Sequence, residues 1–457
     1  EKSVIILDAA SSLGGTWATF NYPGVRSDSD MYSFAYSFRP WTSTKVYADG
    51  ATILQYLQET ADEYNVTRLV RLQHKVTHAR FSKQTAAWRL EISGSQPDMT
   101  CSFLFMGVGY YNHAHGHLPT WPGQADFTGQ LVHPQHWPRD LDVTGKRVLV
   151  IGSGATAISL MPALASKAAQ VLWVQRTPTD VVPRPAGDPF ANILLWLQSF
   201  FSIFLWPFSP NTLINWIIRI KWVLISVFGY AISKKYPKKA RRAILRENPL
   251  PKELKEKHFN PPYDVWDQRV CVAVDGDIFK CIQNGSVKVW TCAGGVHSFS
   301  EKGLHLSDGG QKGEFLAAEV IVAATGLELL FMGGIKMFVD GTEVDSKECV
   351  INRGCFLSSV PNMAFLFGYT NASWSLRLDL TMSYTFRVLQ RMQKLDKKYF
   401  VAVFAESTNG GTKDVAELLD FSSGYIQRGK NMFPKQGMLH PWRLSQNVIE
   451  GYKTAFW

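Results

Sequence analysis

The chain has 457 residues, 46% of them apolar and 19% charged, with a formal net charge of +10. That length and apolar content supply two or three domain cores and exclude a disordered or low-complexity chain. The positive charge does not form a stripe with interleaved aromatics, so nucleic acid is not an expected partner. The six cysteines (Cys101, Cys271, Cys281, Cys292, Cys349, Cys355) contain no Cys-x-x-Cys pair, so neither a zinc site nor a disulfide framework is indicated, and a reducing, cytoplasmic compartment fits best.

The chain opens on Val4-Ile5-Ile6-Leu7, a β-branched strand closed by Asp8 and followed by Gly14-Gly15. In a dinucleotide-binding unit an acid at the end of the second strand takes a ribose hydroxyl, and a glycine-rich phosphate loop lies ahead of it. No such loop precedes Asp8, and neither an initiator methionine nor a signal peptide is present. The expectation is an N-terminally truncated chain whose first strand and glycine loop lie upstream.

A second unit begins at Gly145-Lys-Arg-Val-Leu-Val-Ile151, a continuous apolar run that reads as a buried parallel strand. It turns at Gly152-Ser153-Gly154-Ala155-Thr156-Ala157 into an apolar helix, Ile158 to Ala165, and returns as the strand Val171 to Val174. Gly152 permits the tight turn, Gly154 lets a pyrophosphate approach the backbone, and Ala157 allows close packing of helix on strand. The next strand ends in Arg176-Thr177 and not in an acid. A cation and a hydroxyl suit a 2′-phosphate, which points to NADPH.

Residues 193 to 208 and 213 to 232 are nearly all apolar or aromatic, interrupted by Gln198, Pro207, Arg219 and Lys221. A basic block follows, Lys234-Lys235-Tyr-Pro-Lys238-Lys239-Ala-Arg241-Arg242. The stretch reads as a helical insertion that is either buried core or a peripheral contact with an anionic membrane through 190 to 242. Further on, Arg269 to Val274 and Val320 to Ala324 read as strands, the second ending at Thr325-Gly326. The pattern turns helical from about 380, and the tail from 405 is polar and glycine-rich. His113-Ala-His115-Gly-His117 has an alternating spacing but follows the turn Gly107-Val-Gly109 in a loop, and no metal is expected there.

Two motifs go beyond periodicity. Phe127-Thr-Gly129-Gln-Leu-Val-His133-Pro-Gln-His136-Trp137-Pro138 resembles the FxGxxxHxxxWP fingerprint of Baeyer–Villiger monooxygenases, class B flavoproteins. The stretch from Gly14 to Asp28 resembles the same family's GGxWxxxxYPGxxxD. Phe367 to Trp374, Asp420 to Gly424 and Pro441-Trp442-Arg443-Leu444 are similar to the ethionamide-activating subgroup, so the resemblance covers essentially the whole chain.

The resemblance implies an α/β fold of two nested Rossmann-like domains with a helical insertion. The FAD domain would take residues 1–140 and 313–457, the NADP domain 141–187 and 264–312, and the insertion 188–263. It implies an FAD- and NADPH-dependent enzyme that uses O2, through a peroxide on the flavin, to turn ketones into esters or lactones and thioethers into sulfoxides. Arg269 would be the catalytic arginine and Asp28 the carboxylate beside the flavin. Asp8 and Trp17 would meet FAD, and Gly152, Ser153, Gly154, Ala155, Thr156, Ala157, Arg176 and Thr177 NADP. Gly14, Gly15, Thr16, Arg26, Ser27, Gln268 and Gly326 would be further cofactor contacts, and His133 would couple domains. Two positions depart from the family: Gln268 stands where many relatives have lysine, and Asp8 where glutamate is commoner. From its own context Asp28 could equally cap a helix, Arg269 could be an ordinary ion-pair partner, and His133 and His136 could be satisfied loop histidines. Two other functions fit the residues: an S- or N-oxygenating flavin monooxygenase without ketone activity, and a non-enzymatic NADP-binding remnant lacking flavin.

Overall fold

Strands buried on both faces need apolar residues at every position, and Val148, Leu149 and Val150 are all fully buried. They belong to Arg147–Ile151, the middle strand of a five-stranded sheet in a computed structural model that describes residues 3–201, 210–404, 415–419 and 422–456. The spatial order is Val287–Thr291, Gln170–Gln175, Arg147–Ile151, Val320–Ala323 and Gln130–Val132, with every pair parallel. Alternate residues serve opposite faces. Val148, Val150, Val171 and Trp173 pack under the helix Ala155–Ala165, whereas Leu149, Ile151, Leu172 and Val174 meet the antiparallel strands Val296–Ser300, Gly303–Asp308 and Gln311–Ala317.

From Arg147–Ile151 the chain runs outward to one side and returns on the other as Val320–Ala323. Ligands of such sheets lie at that reversal, outside the carboxyl ends of the strands. Here the expected domain limits shift. Gln130–Val132 and Val320–Ala323, assigned in sequence to the outer domain, are hydrogen-bonded into this sheet. A short buried apolar run carries no pattern that names its neighbour, so only tertiary pairing reveals where it belongs.

The outer domain draws on both halves of the chain. Ile6–Leu7 pairs parallel with Val70–Arg71, and Leu104–Met106 with Met363–Phe365. The antiparallel run Val76–Ser82, Ala87–Ile92, Met99–Cys101 is extended by Lys336–Val339. Their common core includes Phe81, Trp88, Met363, Phe365 and Phe367. The opening strand is shorter than expected, the late helix begins earlier, at Trp374, and the strand expected from Arg269 begins at Cys271.

The insertion forms the helices Pro189–Phe201, Pro210–Lys235 and Pro237–Glu247. Ala191, Leu195 and Ile218 enter a core with Met31, Tyr32, Trp41 and Ile53, which anchors the insertion to the first segment of the chain. Pro207, Asp420, Phe421 and the tail at 405–414 lie outside the described residues.

Candidate functional site

At the carboxyl edge of the parallel sheet, main chain approaches main chain with no side chain between. Gly152 has φ +131°, and a Cβ there would stand 2.1 Å from the Ala324 carbonyl oxygen. Only glycine fits. Gly154 precedes the helix Ala155–Ala165 in extended conformation with open space at its Cβ position, so the first-turn amides and the positive end of the helix face outward. Such an open turn at a helix N-terminus is one that a pyrophosphate can approach. The Tyr22-Pro23-Gly24 turn lies against the same helix: Tyr22 Oη is 3.3 Å from Ser159 Oγ, and a Cβ on Gly24 would stand 2.2 Å from the Ser159 carbonyl oxygen.

The histidine of the long motif ties this edge together. His133 Nε2–H donates to the Gly326 carbonyl (3.1 Å), and its Nδ1 accepts from the Gln135 amide (3.2 Å), which specifies the neutral tautomer. Thr325 Oγ1 donates to the His117 carbonyl, and a Cβ on Gly116 would strike the His133 ring. Burial lowers the His133 pKa, consistent with a neutral ring that couples segments. The other motif residues pack: Trp137 enters the core under the sheet, Phe127 meets Phe299 edge-on at 5.9 Å, and a Cβ on Gly129 would collide with the Glu319 carbonyl. Leu141 donates to the Pro138 carbonyl, closing the turn after the motif.

Arg176 is exposed just beyond Gln170–Gln175, with Thr177 half-buried beside it. Arg428, on the short helix Gly424–Gly429, lies 3.7 Å from the Cβ position of Gly326. Desolvation first, and then repulsion from Arg176 against attraction to Glu328, lower its pKa. Two guanidiniums in one field beside a glycine cradle suit a phosphate ester. Ser153, Ala155 and Thr156 line the turn half-buried, and Ala157 is buried against the sheet.

The second centre is Arg269. Its side chain is accessible to solvent, yet it lies deep among the phenols of Tyr110, Tyr111 and Tyr425, so it faces a cleft and not the outer surface. Nη2 donates to Tyr110 Oη at 3.1 Å, and Tyr110 Oη is 3.1 Å from Tyr111 Oη. Tyr425 and Tyr110 raise the arginine pKa further, against the cost of burial. Tyr110 stacks on Trp374 (5.3 Å) and leans on Phe367 (5.6 Å), which gives the cleft an aromatic wall.

Asp28 shares this field. Desolvation pushes its pKa up to about 6, against the opposing pull of Arg26 and Arg269. The helix cap is Asp30: its carboxylate accepts from the Ser33 amide at 2.8 Å and leaves Asp28 free of that duty. Two residues expected to meet a cofactor also have partners within the protein. Arg26 pairs with Asp277 and donates to the Val272 carbonyl (3.0 Å), and Ser27 Oγ donates to the Ser29 carbonyl (2.9 Å). Arg26 and Asp277 are 251 positions apart, a pairing that no local pattern announces.

Asp8 is half-buried at the end of its strand, accepts from the Ala10 amide (2.9 Å) and acts electrostatically on His113. Gly14 has φ +128° against Leu54; Gly15 and Thr16 are exposed, and Trp17 packs edge-on to Phe34 at 6.2 Å. This edge has the open backbone and the carboxylate that a second dinucleotide needs. Gln268 is half-buried in the turn before Arg269. His115 pairs with Glu328 and His117 with the Thr325 turn, so the alternating histidines do not converge. Sequence reasoning missed Tyr110, Tyr111, Tyr425 and Arg428. Their signals were adjacent: the tyrosines follow the Gly107-Val-Gly109 turn, and Tyr425 and Arg428 continue one helical face beyond the motif that ends at Gly424.

A flavin-binding monooxygenase-like family model matches residues 29–256. The FAD-containing monooxygenase EthA of Mycobacterium tuberculosis is 40% identical over 98% of this chain and 88% of its own length. The chain belongs to the flavin-binding monooxygenase-like family. MymA of the same organism, described as a putative FAD-containing monooxygenase, is 38% identical over 97% of this chain and 88% of its own. The fold matches an oxidized steroid monooxygenase bound to NADP, with TM-score 0.66 and 21% identity over 86% of this chain and 82% of that one. The chain spans about 88% of the length of these EthA and MymA relatives.

For this monooxygenase-like chain, His133→Ala is expected to lower stability by about 1–2 kcal/mol at pH 7.5, because it leaves the Gln135 amide unpaired and removes one of the two hydrogen bonds to the Gly326 carbonyl, which keeps the His117 amide at 3.1 Å. A histidine with a lowered folded pKa contributes stability above its unfolded pKa of about 6.5 and loses it as pH falls. The gap between variant and wild type should therefore narrow by pH 5.5 in thermal melts, while His113, His117 and His258, also lowered, keep some pH dependence in both.

Proposed function

We propose that this protein is an FAD- and NADPH-dependent monooxygenase of the Baeyer–Villiger type, which inserts one oxygen atom of O2 into ketones to give esters or lactones and oxidises thioethers to sulfoxides. The observation that carries the reading is Arg269, an accessible guanidinium held deep in an aromatic cleft within the field of Asp28. The Gly152–Ala157 turn, Arg176, Thr177 and Arg428 suit NADPH. The edge formed by Asp8, Gly14, Gly15 and Trp17 suits FAD. The EthA relatives are named as FAD-containing, and the steroid monooxygenase structure as bound to NADP, which supports the same pair of cofactors. FAD reduced by NADPH supplies activated oxygen at such a site.

The chain's own residues then have three tasks. Arg269 stays charged at any working pH and offers fixed donors to an anionic oxygen, which oxygen transfer to a carbonyl requires. Tyr110 and Tyr425 hold its plane. Asp28, ionised above about pH 6, offsets the arginine charge, and Tyr110, Phe367 and Trp374 give the reacting atoms an apolar wall on one side.

Arg269→Ala should still consume NADPH but lose ester formation about 100-fold or more, read as product mass against NADPH oxidation. Unimpaired ester formation would remove Arg269 from the mechanism. Retained sulfoxide formation by the variant would mark oxygen transfer to sulfur as independent of the arginine.

The ionisation of Asp28 adds a pH signature. Ketone kcat/KM should rise through about pH 6 in the wild type, and Asp28→Asn should be slow and flat across that range. Asp30, whose carboxyl is also pushed up to about 6, is the control: Asp30→Asn should keep the limb. Arg428→Ala should raise KM for NADPH about tenfold with little effect on NADH, so that the ratio of the two coenzymes' kcat/KM falls.

A further inference from the structure

We propose that the outer face of the helical insertion, together with the basic helix that follows, docks on the surface of an anionic lipid bilayer. On Pro210–Lys235 the exposed apolar side chains include Leu213 (63%), Trp216 (60%), Leu224 (43%), Phe228 (52%) and Ile232 (59%). Their spacing keeps them on one side of a helix. Phe190 and Ile193 of Pro189–Phe201 add to the apolar exposure of the insertion, and the two helices pack together.

The two cations that interrupt the apolar run are both paired within the protein. Arg219 is turned inward, donating to the Ala35 carbonyl (2.6 Å) and pairing with Asp379 (3.3 Å), and Lys221 pairs with the buried Asp188. Ile218 and Val227 are buried in the protein. The helix is long and apolar enough to cross a bilayer, but Ile218 and Val227 pack in the protein and Arg219 and Lys221 pair with Asp379 and Asp188, which favours the interfacial orientation. It lies in the interfacial plane with its free face down.

Charge selects the occupant. From Pro189 to Arg246 there is no aspartate or glutamate, while nine lysines and arginines occur in those 58 residues. Lys235, Lys238, Lys239, Arg242 and Arg246 are exposed at the end of the apolar face and along Pro237–Glu247. Apolar side chains that enter the acyl boundary, beside a basic collar at headgroup height, complement phosphatidylserine or phosphatidylglycerol. A second copy of the chain would bring two like-charged collars together.

The test uses the full chain with FAD and NADP, floated with phosphatidylcholine vesicles containing 0 or about 30% phosphatidylserine, the content of an ordinary anionic surface. The wild type should float with the anionic vesicles and at least tenfold less with neutral ones. Lys238→Glu with Lys239→Glu should lose about fivefold or more per residue and mimic the effect of 0.5 M salt. Trp216→Glu with Phe228→Glu should abolish flotation even at low salt, and the blue shift of tryptophan emission on binding should be smaller in Trp216→Phe, which keeps the apolar face, than in the wild type. Unchanged far-ultraviolet circular dichroism and flavin absorbance would show that the variants are folded. Failure of the wild type to float would overturn the proposal. So would a concentration-dependent dimer that Trp216→Glu dissolves, with no vesicle binding, which would assign the face to a second copy.

Discussion

Backbone-to-backbone contact at the carboxyl edge of the parallel sheet is the constraint on which the rest depends. Gly152 lies against the Ala324 carbonyl and Gly24 against the Ser159 carbonyl, each at a distance that a single Cβ would violate. Strand, nucleotide helix and the loops before both are thereby drawn together with no side chain in the gap. That closeness leaves the helix amides open to a phosphate and brings the loop bearing Asp28 next to the sheet that bears the Arg269 turn. His133 completes the arrangement through two hydrogen bonds from one neutral ring.

The electrostatics of the cleft follow from that placement. A carboxylate removed from bulk water would be costly alone, and the guanidiniums of Arg26 and Arg269 oppose that cost at Asp28. Arg26 is the less obvious member of the group. It is bound to Asp277 and the Val272 carbonyl, so it remains a fixed cation beside Asp28 without competing for a ligand. Asp28 is left with a carboxyl that titrates at about 6, between the solution value and full suppression of its charge. The tyrosines serve a complementary purpose. Burial keeps the Tyr110 and Tyr111 phenols protonated, so they orient the arginine without neutralising it.

The insertion applies the same logic on a larger scale. One set of side chains on Pro210–Lys235 is committed to the protein, through Ile218, Arg219 and Lys221, and the opposite set is left apolar. Its cations serve the inner contacts, and the basic helix beyond carries the charge that faces out.

By itself the sequence determined the second glycine turn with its strand and helix, because local periodicity and glycine chemistry are written in contiguous residues, whereas the nested α/β class came through the motifs that resemble a known family. Asp28 and Arg269 were legible only through motifs around them, since neither has a local pattern that separates it from a cap or a surface ion pair. The partners of those residues were not legible. That Asp30 is the cap, that Arg26 belongs to Asp277, that Tyr110 and Tyr425 meet Arg269 and that Arg428 joins Arg176 are decided by contacts across tens to hundreds of positions. The same holds for the two strands that cross the expected domain limits and for the inward turn of Arg219 and Lys221. Hydrogen-bond pairing and packing are properties of which surfaces meet, and only the tertiary structure decided that.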